Sequence, residues 1–166
     1  MYQRRLQINS PVDVPIVIYH NFLKVAPAHA FLALTDPSYI EIWGDTIGYK
    51  VALFNIDLSV GGRYDIAYSD PSGILRQASG EILEFQPPRC LVFTRELDVK
   101  SGEETLETLI FDSMDGGTYL TGISRYPSIE VRDRIANVSF MSFVANAFEC
   151  LDEVVGDSWV VENLSV

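Results

Sequence analysis

Between about residue 50 and residue 126 apolar and polar positions alternate along the chain, the period of a half-buried β-strand. The alternation predicts strands at 50–58, 62–69, 74–85, 90–98, 105–113 and 118–126. The breaks fall at Gly61-Gly62, Asp70-Pro71-Ser72-Gly73, Pro87-Pro88, Lys100-Ser101-Gly102 and Asp115-Gly116-Gly117. Paired glycines reach positive φ without a Cβ clash, so Gly61-Gly62 reads as a two-residue reversal. Asp70, Pro71 and Gly73 occupy the first, second and fourth places of a type I turn, where each is preferred. Ahead of these strands, Met1 to Pro11 reads as a loose arm and Val14 to Lys24 as one more β-rich run. Pro27 then opens a short helix over 28–34. Thr35-Asp36-Pro37 stops it and caps a second, which runs to Trp43 and ends at Gly44.

Beyond Pro127 the period changes. Val131, Ile135, Val138, Met141, Ala145, Phe148, Leu151 and Val155 recur every three or four residues, the stripe of one amphipathic helix starting near Ile129. Uninterrupted, it holds about 25 residues and reaches about 38 Å at 1.5 Å per residue. Gly156 is its C-terminal stop, and the last ten residues are a tail. The predicted architecture is therefore α+β: a curved seven-stranded antiparallel sheet wrapped around a long C-terminal helix, with two short helices after the first strand. At 166 residues the chain reads as a single domain, 1–166, with its core at about 14–155. A strongly twisted sheet cannot touch a long straight helix along its whole length, so a pocket between the two is expected.

Composition narrows what such a pocket serves. The formal net charge of −11 leaves no clustered Lys and Arg for nucleic acid or an anionic membrane surface. No stretch approaches the roughly 20 apolar residues of a transmembrane helix. The apolar run behind Arg4-Arg5 is broken by Pro11, Asp13 and Pro15, so it does not read as a signal peptide. The two cysteines, Cys90 and Cys150, fit small buried residues of a reducing cytoplasm. Neither they nor the two histidines, His20 and His29, have the spacing of a zinc site or a base–nucleophile pair. Gly61-Gly62 and Gly116-Gly117 open no helix, so neither is a phosphate loop. Glu103, Glu104, Asp112 and Asp115 lie near strand ends, where solvent exposure is the plain expectation. No cofactor, metal or catalytic residue is assigned.

The candidates for function are polar groups in phase with apolar strand faces. Leu91, Phe93, Arg95 and Leu97 share one side of their strand. Tyr119, Thr121, Ile123 and Arg125 share one side of theirs, and Tyr64, Ile66 and Tyr68 one side of a third. If these sides face inward, Arg95 or Arg125 places a guanidinium in an aromatic hollow, where it needs an acidic partner or an anionic ligand. In the opposite phase each lies on the outer face, paired with Glu107 or Glu96.

The ordered set of Pro27 to Trp43 with Leu34-Thr-Asp-Pro37, Asp57-Leu-Ser-Val-Gly-Gly-Arg-Tyr64, Asp70-Pro-Ser-Gly73, Gly80 to Thr94, Glu104-Thr105 and Gly116-Gly-Thr118 resembles the START-like (SRPBCC) superfamily. Within it, the chain is most similar to the activator of heat-shock-protein ATPase homologue family, over roughly residues 14 to 155. The resemblance implies the helix-grip fold, in which a curved sheet grips a long helix around a hydrophobic cavity. Where many relatives carry a Gly-Trp or Gly-Met pair facing that cavity, this chain has Ser142-Phe143-Val144.

The leading expectation is a non-enzymatic, cytoplasmic domain that binds a small apolar or amphipathic molecule between sheet and helix. Its cavity is expected to be lined by Trp43, Phe54, Tyr64, Ile66, Tyr68, Phe93, Arg95, Ile123, Arg125, Val138, Met141, Ser142, Ala145 and Phe148. Tyr64, Tyr68, Arg95 and Ser142 are the groups expected to orient the guest. The resemblance also carries two alternatives: a polyketide cyclase or aromatase-like enzyme, and a protein-interaction module that contacts a chaperone. The chain is expected to be a monomer or a homodimer.

Overall fold

The computed structural model describes residues 6–98 and 102–154, apart from the side chains of Val138, Ser139, Phe140, Phe143, Asp152 and Val154. Eight strands form one antiparallel sheet: β1 Gln7–Asn9, β2 Ile16–Leu23, β3 Lys50–Ile56, β4 Arg63–Ser69, β5 Leu75–Gln86, β6 Cys90–Leu97, β7 Thr105–Met114 and β8 Gly117–Arg125. Their spatial order is β1-β2-β8-β7-β6-β5-β4-β3, so β3 to β8 run as a meander and β2 closes on β8. The helices are α1 Pro27–Thr35, α2 Pro37–Thr46, α3 Ile129–Ile135 and α4 Val138–Val154.

Aromatic packing identifies the face of the sheet that the helices cover. Tyr19 of β2 meets Phe148 of α4 with ring centroids 5.4 Å apart. Phe31 of α1 packs on Phe85 of β5 at 5.9 Å and on Phe111 of β7 at 5.2 Å. Two glycines let rings lie flat on this face. A Cβ at Gly122 would sit 1.9 Å from the Tyr19 ring, and one at Gly80 would sit 1.8 Å from the Thr94 carbonyl oxygen and 2.8 Å from the Tyr64 ring. Absence of a side chain at those points is what brings both tyrosines down onto the strands.

The short helices are held by polar ties. The Asp36 carboxylate accepts from Ser38 N–H at 2.8 Å and caps α2, with Pro37 in its first turn. Trp43 Nε1 donates to the Ala33 carbonyl at 3.1 Å, fixing α2 against α1. Cys150 Sγ of α4 lies 3.7 Å from the Trp43 carbonyl, so α4 rests on α2 as well as on β2. Thr118 Oγ1 donates to the Val25 carbonyl at 2.7 Å and closes the passage from β2 into α1.

Four features depart from the sequence expectations. Part of the loose arm is strand β1, in which Gln7, Ile8 and Asn9 pair with His20, Tyr19 and Ile18, so the sheet has eight strands rather than seven. Helix α2 runs through Gly44 to Thr46, and the positive φ that follows belongs to Gly48 at 87°. Gly44 is buried beneath the Tyr49 carbonyl, where a Cβ would lie 3.3 Å from that oxygen; it serves packing rather than termination. The β3–β4 reversal spans residues 57–62, with Asp57 N–H bonded to the Arg63 carbonyl, so Gly61-Gly62 ends a longer loop instead of forming the whole turn. The long C-terminal helix is two helices. Ala136, at φ −83° and ψ 49°, closes α3; the Asn137 carbonyl then accepts from Met141 N–H and starts α4. Asn is a preferred N-cap, a signal that an apolar stripe does not register. The Asp70–Gly73 turn forms as expected, with the Asp70 carboxylate accepting from the N–H groups of Ser72 and Ile74 at 2.9 and 3.0 Å. Val155, Gly156, the tail and Lys100-Ser101 lie outside the described residues.

Arg132 on α3 is buried at 4% exposure and donates to the carbonyls of Pro11 and Val14 while pairing with Asp133 at 2.7 Å. It pins the start of β2 to the C-terminal helices. Replacing it (Arg132→Leu) strands two carbonyls at a closed site and is expected to cost about 3 kcal/mol. Hydrogen exchange should quicken first over residues 7–15; uniform quickening would show that the pin is not local. Gly80→Ala forces a Cβ into backbone and is expected to cost more than about 2 kcal/mol in urea unfolding, through overpacking.

Candidate functional site on the concave face

Strand phase decides which side chains meet beneath the helices. Register places Phe93 of β6 opposite Glu107 of β7, Glu107 opposite Ser124 of β8, and Ser124 opposite Val17 of β2. The next row along is Leu91, Leu109, Gly122 and Tyr19. Because Tyr19 packs on α4, this whole side is the covered one. Arg95, two residues beyond Phe93, shares it.

Arg95 and Glu107 are diagonal neighbours on that face and form an ion pair, Nη2 to Oε1, at 2.6 Å. The other Glu107 oxygen accepts from Ser124 Oγ at 2.6 Å. The Glu107 side chain is 5% exposed and that of Arg95 18%. Burial is the largest influence and lowers the affinity of the guanidinium for its proton, but Glu107 together with Tyr126, Tyr64 and Tyr19 outweighs it, and Arg95 stays firmly cationic. Four phenols surround the pair. Burial pushes Tyr19 far above the ordinary tyrosine range, with Glu107 adding to the rise, and it pushes Tyr64 up despite the opposing pull of Arg95. Tyr68 and Tyr126 are raised by burial too, against the same pull. All four therefore stay protonated at neutral pH and can donate hydrogen bonds. None is tuned toward neutrality, as proton transfer at neutral pH requires.

Next to the charged cluster lies an apolar recess of about 120 Å³, partly open to the outside, between α1, α2 and the sheet. Leu34, Thr35 and Ile40 form the helical wall; Phe54, Ile56, Tyr64, Ile82, Leu91, Phe93 and Leu109 form the strand wall. Its two polar side chains are turned to other work. Thr35 Oγ1 donates to the Phe31 carbonyl at 2.7 Å, and the Tyr64 hydroxyl donates to the Thr94 carbonyl at 2.8 Å. The recess thus offers hydrocarbon surface only. Its volume is well below the roughly 300–1,000 Å³ of pockets that enclose drug-sized ligands. It is close to the roughly 150 Å³ of a cavity that takes one benzene ring.

The structure separates the sequence candidates into groups. Phe54, Tyr64 and Phe93 line the recess, Ile66 and Tyr68 continue the same face of β4, and Arg95 stands in the charged cluster. The Tyr68 ring rests against Tyr49 at 5.8 Å. Trp43 is half-buried behind the recess with its indole tied to Ala33. Phe148 is buried on α4, and Met141 and Ala145 are half-buried there. Three candidates point elsewhere. Ile123 and Arg125 are in the phase opposite to Gly122 and Ser124, which puts them on the outer face, with Arg125 exposed. The apolar content of Tyr119 and Ile123 suggested an inward side, whereas the inward side of β8 is Thr118, Leu120, Gly122 and Ser124. Ser142 is exposed, because α4 buries Val144, Ala147, Phe148 and Leu151 instead. The side chains of Val138 and Phe143 lie outside the described ones.

Arg95 does pair with Glu107, but inside the fold rather than on its surface. Sequence reasoning missed Glu107, Ser124, Tyr19 and Tyr126 as parts of the site. Glu107 had a signal: it falls in phase with Thr105, Leu109 and Phe111, all buried. Among the described residues no group of three or more His, Cys, Asp or Glu side chains could hold a metal ion, and no helix is long and apolar enough to cross a membrane. Cys90 and Cys150 are both free.

Solved structures share this architecture. A Rhodobacter sphaeroides protein is 25% identical, with a TM-score of 0.80 over 91% of this chain and 97% of its own. Protein Ms6760 from Mycobacterium smegmatis is 18% identical, with a TM-score of 0.82 over 92% and 97%. CalU16 from Micromonospora echinospora is 20% identical, with a TM-score of 0.61 over 96% and 88%. No curated protein matches the chain closely enough to count as a relative. Residues 24–152, from the end of β2 to the last turns of α4, match the family described as Activator of Hsp90 ATPase homolog 1-like protein, and the chain belongs to that family.

Proposed function

We propose that this chain is a binding domain, without catalysis of its own, that takes a small, largely apolar molecule into the concave recess. The observation that carries the reading is the lining: ten side chains around about 120 Å³, with both hydroxyls among them already bonded to backbone. Such a wall repels water and gains by burying hydrocarbon, at about 0.8 kcal/mol per CH₂. Room for about four water-sized groups at roughly 30 Å³ each implies that a short alkyl segment or one ring is the part of the guest that enters. Four buried methylenes contribute roughly 3 kcal/mol, so the apolar end alone binds weakly.

The two other readings have less to stand on. An enzyme of the cyclase type needs a group that moves protons at neutral pH, and burial drives the phenols beside Arg95 the other way. A protein-contact role would draw on the outer side of the sheet near β3, where Leu53 is 47% and Leu75 62% exposed, but no charged counterpart or mate of defined shape points to a partner. The free thiols agree with a cytoplasmic setting.

Titration with benzene, toluene and the n-alkanols from butanol to octanol tests the reading by thermal unfolding. At ten times its Kd a bound probe should stabilise the fold by about 1.4 kcal/mol, a rise of roughly 3–6 °C for a chain of this size. Leu34→Trp, which plugs the recess from α1, should abolish the saturable part of the shift. A panel without any saturable shift, or a Leu34→Trp protein that responds as fully as the parent, would remove the recess as a binding site.

A further inference from the structure

The Arg95–Glu107 pair adds little to stability, since two charges taken out of water recover their desolvation only in excellent geometry. It does, however, set the chemistry of the sheet face next to the recess, where the Arg95 side chain is 18% exposed. We infer that the polar end of the guest is an uncharged hydroxyl, presented to Arg95 and Glu107 while the apolar end occupies the recess. This inference rests on the binding reading above and narrows it to a chemical class.

Geometry links the two ends. Phe93 lines the recess and Arg95 is two residues further along the same face of β6, about 6.8 Å at the strand rise of 3.4 Å per residue. Tyr64 bridges them, with its ring edge-on to Phe93 at 5.7 Å and its phenol within the field of Arg95. A guest with a hydroxyl some five or six bonds from its apolar end spans that interval.

Charge balance selects the head group. Arg95 and Glu107 cancel one another at 2.6 Å. An anionic head that draws Arg95 from Glu107 leaves behind a carboxylate 5% exposed, still bonded to the Ser124 hydroxyl. That costs several kcal/mol. The net charge of −11 further disfavours an anion. A cationic head competes with Arg95 for the same carboxylate and strands the guanidinium. A hydroxyl accepts from one partner and donates to the other, and neither charge is uncovered. Arg95, at 18% exposed against 5% for Glu107, is the member an incoming group meets first.

Three probes of one chain length, 1-octanol, octanoate and octylammonium, decide the matter by calorimetric titration at pH 7.5. The parent protein should bind 1-octanol at least about tenfold more tightly than either ion, a difference of about 1.4 kcal/mol. A purely apolar recess would also reject ions, so the variants carry the decision. In Glu107→Gln the affinity of octanoate relative to 1-octanol should rise about tenfold; in Arg95→Gln that of octylammonium should rise similarly. The double variant Arg95→Gln/Glu107→Gln buries no charge and so keeps the fold testable if either single change unfolds it; in it both ratios should return toward the parent values. Ratios unmoved by every variant that folds, or an ion preferred by the parent, would overturn the hydroxyl assignment while leaving the recess as a site. Failure of all three probes to bind would overturn both.

Discussion

A β-strand turns alternate residues to opposite faces, and on β6, β7 and β8 this rule leaves no freedom about where charge goes. Once Tyr19 packs on Phe148, its partner Gly122 must face the helices, and with it Leu109 and Leu91 one row across. Glu107 and Ser124 are in the same phase two residues on and Arg95 four residues on from Leu91, so they are carried beneath the helices whatever their own preference for water. The sheet cannot bury one set without the other. A slip of one residue would expose Leu109 and Phe111 together and bring Thr108 and Ile110 inward, so the register is held by hydrocarbon and the polar cluster is held by the register.

That cluster is self-consistent because its members were placed as a set. Glu107 has a guanidinium on one oxygen and a hydroxyl on the other, while the phenols around it stay protonated. Removing any one charge leaves the opposite charge in a dry place, which makes the pair mutually obligatory without making it stabilising. The hydrocarbon recess next to it has the contrary character: its hydroxyls are spent on backbone carbonyls. The concave face is therefore ordered from apolar to dipolar along β6, over the distance of a few residues.

Much of this architecture was legible in the chain because its cues are local. Period-two alternation marked β3 to β8 within a residue or two, and the Asp70–Gly73 turn followed from the preferences of three residues. What failed was information that local pattern does not hold. The three residues of β1 carry too little alternation to stand out, and they become a strand only by pairing with β2. The apolar stripe ran on through Asn137 because periodicity measures burial, not continuity; polar Asn137, whose Nδ2 donates to the Arg134 carbonyl at 3.2 Å, sits at the break between α3 and α4. On β8 the inward side carries Thr118, Gly122 and Ser124, so the more apolar-looking side, Tyr119 and Ile123, was the wrong guide. Glycine faces inward there because Tyr19 needs the room, a reason that lies on another strand. The candidate site divides likewise. Arg95, Phe93 and Tyr64 could be named from strand phase, whereas the helical wall of Leu34, Thr35 and Ile40 depends on how α1 and α2 sit on the sheet.

The placement of α1 and α2 gives the concave face its asymmetry. Asp36 ends one helix and caps the next, and the Trp43 indole ties the pair together through the Ala33 carbonyl, so the two short helices pack as one unit. That body covers the apolar end of β6 with Leu34 and Ile40, while α4 covers Tyr19 on β2. The two covers meet where Cys150 of α4 rests on Trp43 of α2, and the recess lies beneath α1 and α2, with no described α4 side chain in its lining. A single helix laid straight across the sheet would have to desolvate Arg95 and Glu107 completely or leave the hydrocarbon of Phe93 and Leu109 in water. Divided covers avoid that choice: each end of the face meets the surroundings its chemistry requires.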